Sequence, residues 1–306
     1  MHLDRQSSAA LSLHEERNRQ SSSMSSMPTV KIFWSGGFDS SFRMVQLSRQ
    51  KVAIQPCYVC VGRRSEQREL HAIASIREDI EKNPETKCTI LPLVKKRLED
   101  IPPDREITEA YKRLAQQYHI AYQYDWLARF CKAENIFEIE LSVDKDDRGL
   151  SAFLEACGKL TAINEGCISY YVIDNAGSSQ DLSLVFGRFR FPIPLYDTTK
   201  KQLVELYKEY GYGHVINRTW FCHCPIKGEP CGTCGPCRIA MEAGMQFRFS
   251  SSAVERYEKY RKRGKLRRWL ELRLRWIELR LAFLLIRLRL INIVRRMSIK
   301  LRLINS

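Results

Sequence analysis

The chain has 306 residues, with 50 Lys and Arg against 35 Asp and Glu, a formal net charge of +15. From Ala253 to Ser306 there are 17 basic and 4 acidic residues, so the first 252 residues carry 33 against 31 and are nearly neutral at +2. Charge this unevenly spread does not make the body of the protein a nucleic-acid binder, and 44% hydrophobic with 10% aromatic residues excludes a chain disordered throughout.

Residues 1–27 are rich in serine, lack an apolar signal core and read as a disordered leader, with Met24 or Met27 as alternative starts. Thr29 to Trp34 is predicted as a buried strand, Ser35-Gly36-Gly37 as a turn, and Phe38, Phe42, Val45 and Leu47 as the apolar positions of a helix. Val52 to Val61 is a second strand, in which Pro56 suggests a bend or an edge position. Glu66 to Glu81 is a helix with Leu70, Ile73, Ile76 and Ile80 on one face, and Cys88 to Val94 a short third strand. Helices are predicted at Ile107 to Gln117 and Tyr124 to Lys132, and a strand at Ile136 to Val143. Phe191 to Tyr196 reads as a loop capping a helix over Thr198 to Tyr210. Strands alternating with helices predict an α/β, Rossmann-like, doubly wound parallel sheet. The expected division is a leader over 1–27, an α/β domain over 28–215, a cysteine-rich region over 216–250 and a basic helical tail over 251–306.

Ser35 to Ser41, Ser-Gly-Gly-Phe-Asp-Ser-Ser, lies between the first strand and the first helix. Gly36 and Gly37 permit close backbone approach, and the following helix presents unpaired N–H groups, so the segment reads as an anion cradle. Ser35, Ser40 and Ser41 add hydroxyl donors. Asp39 disfavours a bare phosphate, which leaves it Mg2+ binding through phosphate or helix capping. An ordinary strand-to-helix turn is the alternative. No Gly-x-x-x-x-Gly-Lys-Ser/Thr occurs, so a GTPase or motor-type ATPase is not indicated. The string resembles the S-G-G-x-D-S signature of the PP-loop ATP pyrophosphatases. That resemblance implies an ATP-binding fold of the adenine nucleotide alpha hydrolase type, with Ser35, Gly36, Gly37, Asp39, Ser40 and Ser41 contacting ATP. Asp39 and Ser40 are the catalytic candidates. In the implied scheme a substrate oxygen attacks the α-phosphate, pyrophosphate leaves, and a nitrogen or sulfur nucleophile displaces AMP.

Cys222, Cys231, Cys234 and Cys237 are spaced C-x8-C-x2-C-x2-C, among glycines and prolines that let the chain turn. Four thiolates suit a closed, structural Zn2+ site. Redox disulfides or an iron–sulfur cluster are the other readings, and His223 or Cys224 is a rival first ligand. Cys57 and Cys60 lie in a predicted strand and read as core.

Together the two motifs resemble the 7-cyano-7-deazaguanine synthase family of the queuosine pathway, over about residues 29 to 245. The likeness includes Pro194 to Lys200 (P-L-x-x-x-x-K) and Thr219-Trp220-Phe221-Cys222. It implies conversion of a 7-carboxy-7-deazaguanine to an amide and then a nitrile with ammonia and ATP, zinc being structural. Departures lie at Cys60 to Ser65, Tyr122 to Asp125 and Asp146 to Arg148, in regions that line the family's substrate pocket. The acceptor therefore remains open between a deazaguanine acid and another group. Asp144, Lys145, Asp146, Asp147 and Arg148 follow a predicted strand and are candidates for the pocket, or a solvated charged loop; Arg63 and Arg64 are candidates for phosphate contact.

Leu266 to Arg296 reads as one long helix, with a heptad seam through Leu270, Leu274, Ile277, Leu281, Leu284, Leu288 and Ile291. Trp269, Trp276, Phe283 and Leu290 form a second apolar seam. An anionic membrane surface, a homo-oligomer and docking on the body are the three readings; nucleic acid is the weaker partner for so apolar a helix. No uncharged apolar stretch reaches the length of a membrane span, and the expected setting is cytoplasmic, with peripheral membrane attachment through the tail.

Overall fold

The computed structural model describes residues 27–118, 120–147, 149–263 and 273. Most of the serine-rich leader, Arg148 and the two seams of the tail lie outside the described residues. The chain enters the fold as β1 (Thr29–Phe33) and passes through the turn at 34–37 into α1 (Phe38–Ser48). It continues through β2 (Ala53–Cys60), α2 (Glu66–Lys82), β3 (Thr89–Ile90), β4 (Val94–Arg97), α3 (Arg105–Gln117) and α4 (Gln123–Ala133) to β5 (Ile139–Glu140). Then come α5 (Leu150–Cys157), β6 (Leu160–Glu165), β7 (Ile168–Ile173), α6 (Gln180–Phe186), β8 (Phe189–Pro192), α7 (Lys200–Glu209), α8 (Val215–Arg218) and α9 (Gly235–Glu242).

The sheet order is β3-β2-β1-β5-β8-β7-β6, with β4 also paired to β2. Pairing is parallel from β3 and β4 through β8, and antiparallel for β6–β7 and β7–β8. Both faces are covered. Phe42, Val45, Ile73, Ile76 and Leu203 of α1, α2 and α7 pack on one side of β1. Leu114, Phe130, Leu154 and Phe186 of α3 to α6 pack on the other, around Phe33 and Phe189. Burial on both sides is why β1 is predominantly apolar rather than strictly alternating. The chain leaves β1 toward β2 and returns to β5 on the opposite flank, so the order in which strands are added reverses between β1 and β5, which remain parallel. In such sheets the crevice at the C-terminal ends of those two strands is where ligands bind.

One buried ion pair ties that switch point together. Arg43 on α1 donates from Nε and Nη2 to the two carboxylate oxygens of Glu140 on β5, at 2.7 and 2.6 Å. Both side chains are almost wholly buried.

The structure departs from the sequence expectations in five places. The sheet is mixed rather than all parallel, because the turn at Gly166 and Cys167 joins β6 and β7 too briefly for a crossover. The expected third strand is split into β3 and β4. The strand expected at Ile136 to Val143 contracts to Ile139–Glu140, and the stretch from Phe191 begins as the end of β8 rather than as a loop. Pro56 lies on an interior strand, not an edge, between β1 and the β3–β4 side. Its missing N–H faces the break between Ile90 and Val94. There the carbonyls of Ile90 and Leu91 take their hydrogen bonds from the Arg77 guanidinium at 2.8 and 3.0 Å. A proline is tolerated because the neighbouring ladder is interrupted beside it.

Residues 251–263 are helical and dock on the cysteine region. Arg256 Nε donates to the carbonyl of Cys231 at 2.8 Å, and Ala253 and Tyr257 are buried. No helix among the described residues is long and apolar enough to cross a membrane.

Replacing Glu140 by Ala leaves the Arg43 guanidinium buried without its counter-charge. The expected cost is about 3–5 kcal/mol of unfolding free energy, read from urea denaturation midpoints; a loss below about 1 kcal/mol would mean that the pair contributes no more than a surface contact.

Candidate nucleotide site and four-cysteine cluster

Gly36 has φ +67°, and a Cβ at that position would lie 2.7 Å from the carbonyl oxygen of Glu69 on α2. Only glycine allows the turn to lie this close to α2. The loop is held from the other side by Trp220, whose backbone N–H donates to the Gly36 carbonyl at 2.8 Å. Ser35 Oγ lies 3.3 Å from Ser40 Oγ and accepts from the Gly37 N–H at 3.3 Å. These hydroxyls therefore gather at the opening of α1, beside its unpaired N–H groups.

Of the residues expected to contact nucleotide, Ser35, Gly37, Asp39 and Ser40 line one cavity of about 550 Å3. Gly36 supports the loop from beneath. Ser41 differs from expectation: its hydroxyl is buried and accepts from Trp34 Nε1 at 3.1 Å, so it faces the core rather than the cavity. Asp39 does not cap α1. Gly37 is the N-cap, with no side-chain cap bond.

Both oxygens of Asp39 instead accept from Lys200 Nζ, each at 2.9 Å. Asp144, just past β5, lies 3.5 Å from the same ammonium. Lys200 is the first residue of α7, whose start is set by a reciprocal capping box between Thr199 and Gln202. Burial pulls the Lys200 ammonium toward the neutral form, but Asp39 and Asp144 outweigh it and the net shift is upward. Burial, and then the Asp39 carboxylate, push the Asp144 carboxyl up from 3.8 to about 7, against the pull of Lys200. Lys200 belongs to the P-L-x-x-x-x-K segment, but its partners could not be read from spacing, since 161 residues separate it from Asp39.

The cavity runs from the loop past the C-terminal ends of β1, β2 and β5 to the cysteine region. Tyr58 and Glu69 meet in it through a 2.8 Å hydrogen bond, while Gln123, Trp126, Trp220 and Phe221 form parts of its walls. Among the candidates from the charged segment, Asp144 and Asp146 line it; Lys145 and Asp147 are exposed and do not, and Arg148 lies outside the described residues. Arg63 lines the rim, whereas Arg64 does not. Arg248 and Glu69 also contribute to the lining; no motif at the sequence level singled out Arg248.

The sulfurs of Cys222, Cys231, Cys234 and Cys237 lie within 4.8 Å of one another. Cys231 to Cys237 is 3.8 Å and Cys222 to Cys234 is 4.0 Å. A tetrahedral zinc with Zn–S of about 2.3 Å has sulfur–sulfur edges of about 3.8 Å, so the donor set fits that ion. Backbone N–H groups point at the sulfurs: Cys231 N donates to Cys222 Sγ at 3.2 Å and Cys234 N to Cys231 Sγ at 3.3 Å. Cys234 caps α9 and Cys237 lies in its first turn, at the positive end of the helix. Gly232 has φ +81°, and a Cβ there would lie 2.2 Å from the Ala253 carbonyl. Cys224 and His223 are exposed and outside the cluster, so Cys222 is the first member. Cys57 is buried in the core, as expected, and burial pushes its thiol up to about 11.

Two outcomes follow from this geometry. Cys222→Ser is expected to lower bound metal well below one equivalent, while Cys224→Ser retains it, as measured by plasma emission spectrometry. Metal loss from Cys224→Ser alone would reverse the ligand assignment. Asp144 has its pKa raised on folding, so its contribution to stability is complete below about pH 4 and is lost as pH rises through about 7. The stability of the wild type relative to Asp144→Asn should therefore fall between pH 4 and pH 7.5; a difference independent of pH would refute the shift.

Comparison with known proteins adds to this picture. The family described as "Queuosine biosynthesis protein QueC" matches residues 173–247, which includes all four cysteines. No curated protein matches the chain. Among solved structures, a 4-thiouridine synthetase–RNA complex with bound ATP is similar with 13% identity and a TM-score of 0.33, over 72% of this chain and 50% of that one. The chain thus spans about half the length of that relative. The Ser-Gly-Gly-Phe-Asp-Ser loop at the head of a Rossmann-like sheet therefore sits on the same chain as a stretch, 173–247, that is similar to the QueC family.

Proposed function

We propose that this chain is an ATP-dependent PP-loop enzyme resembling 7-cyano-7-deazaguanine synthase, which activates a small acid by adenylation and transfers nitrogen to it. The observation that carries the reading is that one cavity contains both the loop residues Ser35, Gly37, Asp39 and Ser40 and the segment from Trp220 to His223 that leads into the cysteines. Its volume suits a nucleotide with a small second substrate.

The phosphates would rest on the loop, where the N–H groups opening α1 and the hydroxyls of Ser35 and Ser40 face them. A carboxylate oxygen of the acid attacks the α-phosphorus, and the bond from that phosphorus to the bridging oxygen breaks. Pyrophosphate leaves, its charge stabilised by the same N–H groups and hydroxyls. Ammonia then attacks the activated carbonyl carbon, AMP departs with the former carboxylate oxygen, and a proton passes from nitrogen to a base. Asp144 is suited to that proton, because its carboxyl is poised near neutrality in the same cavity. Mg2+ would add charge neutralisation on the phosphates, and zinc on the four thiolates would brace the cavity wall without an open position for water. Lys200 bridges the carboxylates of Asp39 and Asp144.

The acceptor is specified less closely than the activation. Glu69, Asp146 and Gln123 in the cavity favour a substrate that offers hydrogen-bond donors as well as an acid, which a deazaguanine acid does. A sulfur donor or a larger acceptor would use the same activation step.

Pyrophosphate exchange into ATP, measured with 7-carboxy-7-deazaguanine and with other small acids, tests the reading. Exchange should appear with an acid and fall on the order of 100-fold in Asp39→Asn, with the melting temperature little changed. ATP binding without AMP formation for any acceptor would favour a non-catalytic scaffold instead.

A further inference from the structure

Arg248 presents a cation that the activation scheme leaves unused. It follows α9 and lines the cavity. Nη1 donates to Thr219 Oγ1 at 2.9 Å, and Nη2 donates to the Thr219 carbonyl. The guanidinium also stacks over Phe221, 4.5 Å from the ring centroid. Among the described residues no carboxylate forms an ion pair with it. Burial pulls its pKa down to about 10, so the charge is held at a cost that an anion would relieve.

Its attachment points toward the loop. Thr219, which the guanidinium grips, precedes Trp220, whose N–H holds the Gly36 carbonyl at 2.8 Å. Tyr207, close enough to act on Arg248 electrostatically, donates to the Phe38 carbonyl at 2.7 Å. The guanidinium is thus anchored to the same few residues as the turn into α1. The charge balance there needs it. Lys200 is already shared between Asp39 and Asp144, which leaves the immediate surroundings of the loop net negative. A triphosphate there needs cations beyond Lys200, and among the described residues the arginines that line the cavity are Arg63, at its rim, and Arg248. A guanidinium has five N–H donors, of which two are spent on Thr219, so a fork remains for oxyanion recognition.

We propose that Arg248 binds phosphate oxygens of the nucleotide, and of pyrophosphate as it leaves, from the cysteine-region side of the cavity. This rests on the nucleotide reading above and extends it. The segment after the fourth cysteine becomes part of the nucleotide site, and the cysteine cluster acts by holding that arginine in register with the loop. The rival role for Arg248 is to balance the thiolates, since Cys237 also acts on it electrostatically.

Calorimetric titration of the full chain with inorganic pyrophosphate, ATP and adenosine separates these. R248Q should weaken pyrophosphate and ATP by about tenfold or more, leave adenosine unchanged and retain its metal; R248K should recover part of the loss. Pyrophosphate affinity within about twofold of wild type in metal-replete R248Q overturns the assignment. If R248Q loses metal, metal-replete R248K decides by the same measure, and metal loss from both variants assigns the residue to the thiolates. Wild-type protein that binds neither pyrophosphate nor ATP refutes the nucleotide reading itself, a result distinct from unchanged binding in R248Q.

Discussion

The hydrogen bond from Trp220 to the Gly36 carbonyl, 2.8 Å long, joins two parts of the protein that are far apart along the chain. It exists because Gly36 adopts a positive φ and has no Cβ, so the turn presses against the Glu69 carbonyl on one side and exposes its own carbonyl on the other. The segment carrying Phe221 and Cys222 is thereby laid across the mouth of the α/β sheet. The close contact lies where the two walls of the cavity meet. A larger residue at 36 would displace α2 or the cysteine segment, and in either case open the crevice between β1 and β5.

Charge is distributed around that contact in a consistent way. Deep in the sheet, Arg43 and Glu140 neutralise each other and tie α1 to β5. At the cavity, Lys200 is placed between two carboxylates from different elements. Farther along, Arg248 carries a positive charge with no carboxylate partner among the described residues. The body of the chain is nearly neutral overall at +2, and among the described residues its buried charges Arg43, Glu140 and Asp125 are paired. The +15 of the whole chain belongs chiefly to the segment from Ala253 onward. That segment's first helical residues pack on the cysteine loop through Arg256, which links the basic tail to the cavity wall.

Much of the site could be read from local sequence because its parts are contiguous. The Ser35 to Ser41 string and the spacing of the four cysteines each place several groups within a short stretch, where backbone geometry decides the outcome. Pro56 and the β6–β7 hairpin were not legible in this way. Whether a proline suits an interior strand depends on what the neighbouring strand does at that height, and here the neighbour is broken at Leu91 to Leu93. Leu160–Glu165 is mostly exposed and lacks the buried alternation that marks a strand. The side that Ser41 faces is likewise not local: its hydroxyl takes a hydrogen bond from Trp34 Nε1 and turns inward.

Sequence alone determined the α/β class, the Ser-Gly-Gly-Phe-Asp-Ser-Ser motif after the first strand, the spacing of the four cysteines and the concentration of positive charge from Ala253 onward, since each is a property of residues close together along the chain. Tertiary structure alone decided which of those residues share a cavity. It brought Lys200 to Asp39 across 161 positions, chose Cys222 over Cys224, and set Arg248 against Thr219 beside the loop. Those choices follow from burial and from the satisfaction of hydrogen bonds between distant segments, and no local pattern encodes them.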